Sequence, residues 1–209
     1  MRTADARSRR AAVALALVLL VVGCAERQAP PELPRLGRIP AFSLVRESEA
    51  PFTEKQLQGK VTVANFIFTS CPTICPVIVE RTRALQPKLR ALGGAERAVQ
   101  IVSFTVDPET DTPTELRIYA EEHGADPSLW AFVTGDTAVI ARTAEAGFKV
   151  AVGPREQKPG GRYDILHASH YALVDAQGEL RGFYASDDDG ERALLAAAAA
   201  LADQKRTKP

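Results

Sequence analysis

Two cysteines and a histidine-containing loop are the groups of this chain whose types and spacing could do chemistry. Cys71 and Cys75 are four positions apart, between a strongly apolar run and the start of a predicted helix. A helix N-terminus favours the thiolate form of cysteine, because the helix dipole and free backbone N–H groups stabilise negative charge there. This spacing can bring both sulfur atoms to one side of a turn, where they could form a disulfide or share a soft metal ion.

A purely structural disulfide is the simplest interpretation of this pair, and two features disfavour it. The cysteines follow a predicted central strand, and α/β sheets bind their ligands at the carboxyl ends of strands. A disulfide that closes so short a loop would also add little stability, because the entropic benefit grows with loop length. The pair is therefore a candidate redox or metal-binding site.

Histidine is the natural third ligand, because two thiolates that hold a metal ion usually act with an imidazole or a third sulfur. Of the three histidines, His123 ends a predicted helix and is explained as a surface residue that interacts with the helix dipole. His167 and His170 lie together in the loop that enters a predicted hairpin. Spacing alone does not choose between these two.

Residues 1–23 have the pattern of a signal peptide. A head with four arginines precedes the apolar or small run at 11–23, whose 13 residues are fewer than the roughly 20 that a membrane-spanning helix needs. Small and aliphatic residues just before Cys24 resemble the lipobox of bacterial lipoproteins, so Cys24 is predicted to carry the lipid. An uncleaved anchor helix with a buried Cys24 is the alternative.

The composition is that of a soluble globular domain, with 45% apolar and 25% charged residues. Cleavage before Cys24 would remove four arginines and one aspartate from 26 basic and 26 acidic residues, which leaves a net charge of −3. No basic patch stands out, so nucleic acid is not an expected partner.

The rest of the chain predicts one α/β domain. Residues 24–40, from the lipidated cysteine through a proline-rich segment, predict an extended tether; residues 41–204 predict the domain, and residues 205–209 a tail. The predicted strands lie at 42–45, 61–68, 99–106, 129–133, 148–152, 171–174 and 180–184, and the predicted helices at 76–92, 113–123, 136–146 and 190–201. This order implies a central mixed β-sheet flanked by helices, with a β-hairpin near the C-terminus.

Three motifs, in this order along the chain, resemble the SCO/SenC family. The first spans residues 66–76 with both cysteines, the second spans residues 103–113 with Asp107, and the third is His167-Ala168-Ser169, eleven residues before Gly178. The resemblance implies a thioredoxin-like fold and one bound copper ion, Cu(I) or Cu(II), held by the two cysteines and a distant histidine. By its position before Gly178, that histidine corresponds to His167.

The resemblance also implies a function. The protein would be a copper chaperone that assists assembly of the binuclear copper centre of cytochrome c oxidase, and its partners would be the copper-accepting subunit and other copper chaperones. It would be lipid-anchored to the cytoplasmic membrane of the bacterial cell envelope, facing the periplasm. A Cys71–Cys75 disulfide, formed on oxidation, would release or exclude copper.

Asp107 and His170 each have two interpretations. Asp107 matches the aspartate of the family's Asp-Pro motif, and would either support the copper ligands, as a hydrogen-bond partner or weak axial ligand, or begin the turn before the next helix. His170 is not expected from the family pattern. It would be a strand residue that faces solvent, which we favour, or an extra copper donor.

Other functions compete with the chaperone. The same fold could act as a thiol-disulfide oxidoreductase that keeps the oxidase subunit's cysteines reduced, as a peroxidase, or as a copper or redox sensor. Against a general oxidoreductase, three residues separate the cysteines instead of the two in thioredoxin. In addition, no proline lies between Gly160 and the end of the hairpin to serve as a loop cis-proline beside the dithiol. Against a peroxidase, no residue pattern places an activating arginine near Cys71. Enzymatic activity is thus not the favoured expectation.

Overall fold

The computed structural model describes residues 32–71, 75–94 and 98–207. Cys24, the predicted signal peptide and most of the predicted tether lie outside these residues. None of the helices within the described ranges is long and apolar enough to cross a membrane.

A mixed β-sheet of eight strands forms the centre of the domain. In chain order, the strands in the described part of the chain are β1 (Gly37–Arg38), β2 (Ser43–Arg46), β3 (Pro51–Thr53), β4 (Val61–Ile67), β5 (Val99–Thr105), β6 (Trp130–Thr134), β7 (Arg155–Gln157), β8 (Tyr163–Ile165), β9 (His170–Val174) and β10 (Glu179–Ala185). Strands β7 and β8 form a separate ribbon, and the other eight lie in the order β1-β10-β9-β4-β5-β6-β2-β3. β4, β5 and β6 are parallel, while β9 pairs with β4 in the antiparallel direction.

The helices that cover this sheet alternate with its strands along the chain. They are α1 (Cys75–Gly93), α2 (Pro113–Glu122), α3 (Thr137–Arg142) and α4 (Asp188–Thr207), and a π-helical turn at Thr143–Gly147 extends α3. β4 and β5 are buried along their whole length, as expected for parallel strands covered on both faces. The predicted fold, a thioredoxin-like mixed sheet with flanking helices and a C-terminal hairpin, is confirmed.

Helix α1 continues through Pro87, although proline has no N–H to donate to the carbonyl of Arg83. The side-chain amide of Gln86 donates to that carbonyl instead, at 3.4 Å, and to the carbonyl of Gly124 at 3.0 Å. The helix that begins with Cys75 is therefore tied to the end of α2.

The strand predicted at residues 148–152 is wrong. The Val150 N–H donates to the Ala144 carbonyl, and Lys149 has a φ of 57°, which closes the preceding helical segment and is incompatible with an extended strand. Phe148 and Val150 are nevertheless buried. The alternation of apolar residues therefore reflected burial and not extension.

The ribbon of β7 and β8 was not predicted from the sequence. All three residues of β7 are exposed, so the segment lacks the apolar alternation by which a strand is recognised.

The described strands and helices extend past both ends that were predicted for the domain. β1 pairs with β10, and Ile39 is buried, so part of the predicted tether belongs to the domain. At the other end, α4 continues to Thr207, inside the predicted tail.

Candidate functional site

The two cysteines lie at the carboxyl end of β4, where the chain turns into α1. The Cys71 N–H donates to the Phe68 carbonyl at 3.2 Å, and Cys75 is the first residue of α1. Both are thiols with no disulfide between them. Both are buried, with 6% of Cys71 and 0% of Cys75 exposed. The predicted location of the pair is therefore confirmed, and the disulfide expected on oxidation stays a prediction.

The start of α1 treats the two sulfur atoms differently. The Cys75 N–H donates to Sγ of Cys71 at 3.4 Å, which is the contact by which a helix N-terminus stabilises negative charge. The pKa of the Cys75 thiol is instead raised well above its usual value, first by its hydrogen bond with Cys71 and then by burial. The hydrogen bond with Cys71 and burial thus oppose the thiolate form of Cys75, whereas the N–H contact favours it for Cys71.

His167 brings an imidazole to Cys75 across 92 residues of sequence, with Nε2 at 3.5 Å from Sγ. Its Nδ1 lies 2.7 Å from the Ile165 carbonyl. Because a carbonyl only accepts hydrogen bonds, Nδ1 carries a proton, and in the neutral ring the lone pair that faces the Cys75 sulfur is on Nε2. Metal-binding histidines are commonly oriented in this way, by a hydrogen bond from the other ring nitrogen.

One aromatic side chain packs against the imidazole, and a second packs against the first. The ring of Phe68 meets that of His167 edge-on, with centroids 5.6 Å apart. The other neighbour of Phe68 is Tyr163, stacked at 5.8 Å. These contacts and the Ile165 carbonyl define both the position and the tilt of the His167 ring.

His170 occupies a different environment. Its ring meets that of Phe183 edge-on at 5.0 Å, and its Nε2 is buried without a hydrogen-bond partner among the described residues. Burial lowers the pKa of this imidazole. His170 begins β9, so it is a strand residue as predicted, but its ring is only partly exposed because it packs against Phe183 of β10.

Asp107 begins the turn before α2, as one of its two interpretations predicts, and its role at the copper ligands stays a prediction. Its backbone carbonyl accepts from the N–H groups of Thr110 and Asp111, which begins the turn before α2. Its buried carboxylate pairs with Arg155 and accepts from the Tyr163 hydroxyl at 2.6 Å. The described partners of this carboxylate therefore belong to the ribbon that leads to His167, and not to the cysteines.

Asp111 is an important residue of the site that the sequence analysis missed. Its buried carboxylate accepts from the N–H and, at 2.6 Å, the hydroxyl of Thr69, and from the hydroxyl of Thr105. Burial raises the pKa of Asp111. The loop that leads to Cys71 is thus held by a side chain 42 residues further along the chain.

The three predicted ligands are adjacent, but they are not closed into a metal cage. Within residues 32–71, 75–94 and 98–207, no group of three histidine, cysteine, aspartate or glutamate side chains is arranged to hold a metal ion. The contacts of Cys75 with Cys71 and with His167 bring two sulfur atoms and one imidazole nitrogen to the same end of the sheet. Metal binding would require these side chains to draw closer.

The fold and the site together define a class of protein, a thioredoxin-like α/β domain with a dithiol and an imidazole beyond the end of its central strand. The SCO1/SenC family model matches residues 34–202, and the chain belongs to this family.

Individual relatives agree with this assignment. The SCO1 protein homolog of Bacillus subtilis (strain 168) is 37% identical over 127 residues, which cover 60% of this chain and 62% of that protein, less than two thirds of its length. A SCO1/SenC family lipoprotein from Bacillus anthracis str. Ames is similar in structure, with a TM-score of 0.67 and 28% identity over 80% of this chain and 97% of that one.

Two further solved structures are described by their metal or their function. Bradyrhizobium japonicum ScoI with copper bound has a TM-score of 0.64 and 27% identity, covering 82% of this chain and 100% of that one. BsSco, described as having a disulfide switch and as a member of the Sco family of cytochrome c oxidase assembly proteins, has a TM-score of 0.65 and 30% identity, covering 81% and 99%.

Proposed function

We propose that this protein is a copper chaperone that binds one copper ion through Cys71, Cys75 and His167 and assists assembly of the binuclear copper centre of cytochrome c oxidase. The observation that carries the proposal is the 3.5 Å contact between Cys75 Sγ and His167 Nε2, which joins segments distant in sequence. The copper-bound structure of a relative supports the metal, and the description of BsSco supports the process.

The donor set fits copper. Thiolates favour Cu(I), and an imidazole added to two thiolates also accommodates Cu(II), so one site could hold both states. His167 already directs Nε2 toward Cys75 Sγ, whereas the Cys75 thiol must lose its proton to bind a metal. Copper is the cargo, and the protein holds it until a partner's ligands replace its own.

The exposure of the site indicates the side from which a partner would approach. Cys75 is fully buried, while Leu166, next to His167, is 72% exposed. The ligands of a partner would therefore approach from the side of His167. This partner is the copper-accepting subunit of the oxidase in one direction and another copper chaperone in the other.

The proposed location is the bacterial cell envelope, where lipid on Cys24 anchors the protein to the cytoplasmic membrane with the domain facing the periplasm. The lipobox-like sequence before Cys24 supports the anchor. A structural relative is described as a lipoprotein, which also supports it.

A thiol-disulfide oxidoreductase or a redox sensor is the second candidate, and the disulfide switch described for BsSco favours it. Such an enzyme attacks its substrate with an accessible thiolate. The burial of both cysteines and the raised pKa of Cys75 oppose that chemistry in the reduced protein. Copper binding is therefore the better match to these residues.

Anaerobic copper loading of the domain lacking residues 1–24 tests the proposal. We expect one tightly held copper ion per chain, weakened by each of Cys71→Ala, Cys75→Ala and His167→Ala. His123→Ala is the matched control, because His123 lies at the end of α2, packed against Tyr119. This variant should retain copper like the wild type. A wild-type protein that retains no copper but reduces protein disulfides would establish the oxidoreductase instead.

A further inference from the structure

We propose that Tyr163 is a positioning residue for His167, which fixes the loop from which the imidazole reaches Cys75. The inference rests on the proposed function, because it concerns how the same copper site is built. The hydrogen bonds and ring contacts of Tyr163 are with Asp107, Thr110, Arg155 and Phe68. Tyr163 acts through its ring, its hydroxyl and the strand that it begins.

Tyr163 is held from three directions. Its hydroxyl donates to Oδ2 of Asp107 at 2.6 Å and lies 3.4 Å from Oγ1 of Thr110. The Arg155 guanidinium lies 4.3 Å from the ring centroid, within the range of a cation–π interaction. The ring also stacks on Phe68. A side chain restrained in this way has little freedom to change rotamer.

Two routes connect Tyr163 to the imidazole. Through the side chains, Phe68 lies between Tyr163 and His167 and contacts both rings. Through the backbone, Tyr163 begins β8, and β8 ends at Ile165, whose carbonyl accepts the Nδ1–H of His167. A displacement of Tyr163 would therefore move both the ring against which His167 packs and the carbonyl that fixes its tautomer.

The ribbon depends on these contacts because it has little apolar packing of its own. β7 is exposed throughout, and Ile165 is the one buried residue in the described strands β7 and β8. Local segments with few buried contacts open at low free-energy cost. The ion pair of Arg155 with Asp107 and the hydroxyl of Tyr163 supply the attachment that the hydrophobic core does not.

The loop at residues 107–111 connects this attachment to the copper site, because the same loop also holds the segment that leads to Cys71. Asp107 binds the ribbon that leads to His167, and Asp111 binds Thr69, two residues before Cys71. One short loop after β5 therefore sets the distance between the two halves of the site. Tyr163 is the contact on the histidine side.

Tyr163→Phe tests the inference, because it removes the hydroxyl and keeps the ring. The probes are Cu(I) added without oxygen and Cu(II) added to the same protein. We expect copper to bind about 10-fold to 100-fold more weakly, the usual effect of removing a group that orients a metal ligand. Tyr184→Phe, the same change in another partly buried tyrosine on β10, should bind copper like the wild type.

A double variant distinguishes positioning from a general loss of stability. If Tyr163 acts through His167, then Tyr163→Phe should weaken copper binding no further in a His167→Ala background. An equal loss in both backgrounds would overturn the inference. A Tyr163→Phe variant with wild-type affinity for both Cu(I) and Cu(II) would also overturn it.

A measurement without metal separates this inference from the proposed function. The ¹⁵N chemical shifts of the His167 ring should report a single tautomer with the proton on Nδ1 in the wild type, and a mixture in Tyr163→Phe. Arg155→Met, which removes the charge over the Tyr163 ring, should change the His167 ¹⁵N shifts in the same direction. Unchanged ring shifts in both variants would overturn the positioning role. A wild type that binds no copper would overturn the proposed function but leave this comparison valid.

Discussion

The two kinds of ligand in the proposed site differ in how far they are prepared for a metal. The hydrogen bond from His167 Nδ1 to the Ile165 carbonyl fixes the tautomer of the neutral ring, in which Nε2 is the nitrogen that can bind a metal. The Cys75 thiol has a raised pKa because it forms a hydrogen bond with Cys71 and is buried. Any metal that binds Cys75 must displace this proton.

Copper affinity should therefore depend on pH through Cys75. Since the pKa of this thiol lies above its ordinary value, the thiol is protonated across the neutral range, and each unit of rising pH lowers the competition from protons about tenfold. We expect the dissociation constant for Cu(I) to fall at least about tenfold per pH unit between about pH 7 and 8.5. Competition with a chromogenic Cu(I) chelator, corrected for its own protonation, measures it. A constant affinity over this range would show that Cys75 is already a thiolate.

The residues of the site were unequally visible in the sequence. Cysteine is rare in this chain, so Cys71 and Cys75 stood out by type and spacing, whereas family resemblance was needed to choose His167 over His170. Neither the type nor the sequence spacing of Asp111 and Tyr163 points to the site. Their roles arise from contacts across 42 and 56 residues of sequence, with Thr69 and Asp107 respectively, and no local pattern encodes such contacts.

Among the elements, the central strands and α1 are joined by a buried chain of polar side chains. The Ser103 hydroxyl donates to Asn65 at 2.6 Å and accepts from the Trp130 indole N–H at 2.8 Å. The Asn65 amide donates to Thr82 of α1 at 3.1 Å, and the Thr82 hydroxyl lies 3.2 Å from that of Tyr171. The network therefore links β6, β5, β4 and β9 to the helix that begins with Cys75.

Ser103→Ala should break this network at its centre. The change leaves the Trp130 N–H without its acceptor and Asn65 without its donor inside the sheet, which should cost about 1–3 kcal/mol of unfolding free energy. Urea unfolding followed by circular dichroism measures the loss. Ser48→Ala, in an exposed loop, is the control and should change stability by less than about 0.5 kcal/mol. A Ser103 variant as stable as this control would show that water or neighbouring groups replace the bonds.

Elements buried in the core could be predicted from the sequence, and those fixed by tertiary contacts could not. β4 and β5 are rich in β-branched and aromatic residues on both faces, so their local pattern matches their buried state. The ribbon of β7 and β8 has no such pattern, and it is anchored by Asp107 from outside the segment. The segment after α3 was mistaken for a strand because buried residues alternate there too, around Lys149.

At the scale of the whole domain, a buried ion pair attaches the N-terminal segment to the hairpin. The Arg181 guanidinium donates to Asp175 at 2.7 Å and to the carbonyls of Pro34 and Leu33 at 2.8 and 2.6 Å. Arg181 and Asp175 are each 3% exposed in their side chains. We call this group, formed by Arg181, Asp175 and the carbonyls of Leu33 and Pro34, the N-terminal clasp.

The N-terminal clasp lies at the opposite end of the sheet from the proposed copper site. β9 runs antiparallel to β4, and Val174, just before Asp175, pairs with Thr62 near the start of β4. Cys71 follows the other end of β4, roughly 23 Å away for a seven-residue strand. Leu33 and Pro34 therefore join the rest of the domain at the end of the sheet away from the site.

This separation predicts that the clasp stabilises the domain without tuning the site. Arg181→Met leaves the Asp175 carboxylate buried without its cation, and we expect a loss of about 3–5 kcal/mol in unfolding free energy. Copper retained per folded chain should equal that of the wild type. The matched control is Arg35→Met. Arg35 also pairs with a carboxylate, that of Glu179, but the Arg35 side chain is 59% exposed, and such surface pairs contribute at most about 1 kcal/mol. Denaturant unfolding and copper counting on the same samples check both expectations. Equal stability of the two variants would show that the buried pair contributes no more than the surface pair, and a loss of copper from folded Arg181→Met would show that the two ends of the sheet are coupled.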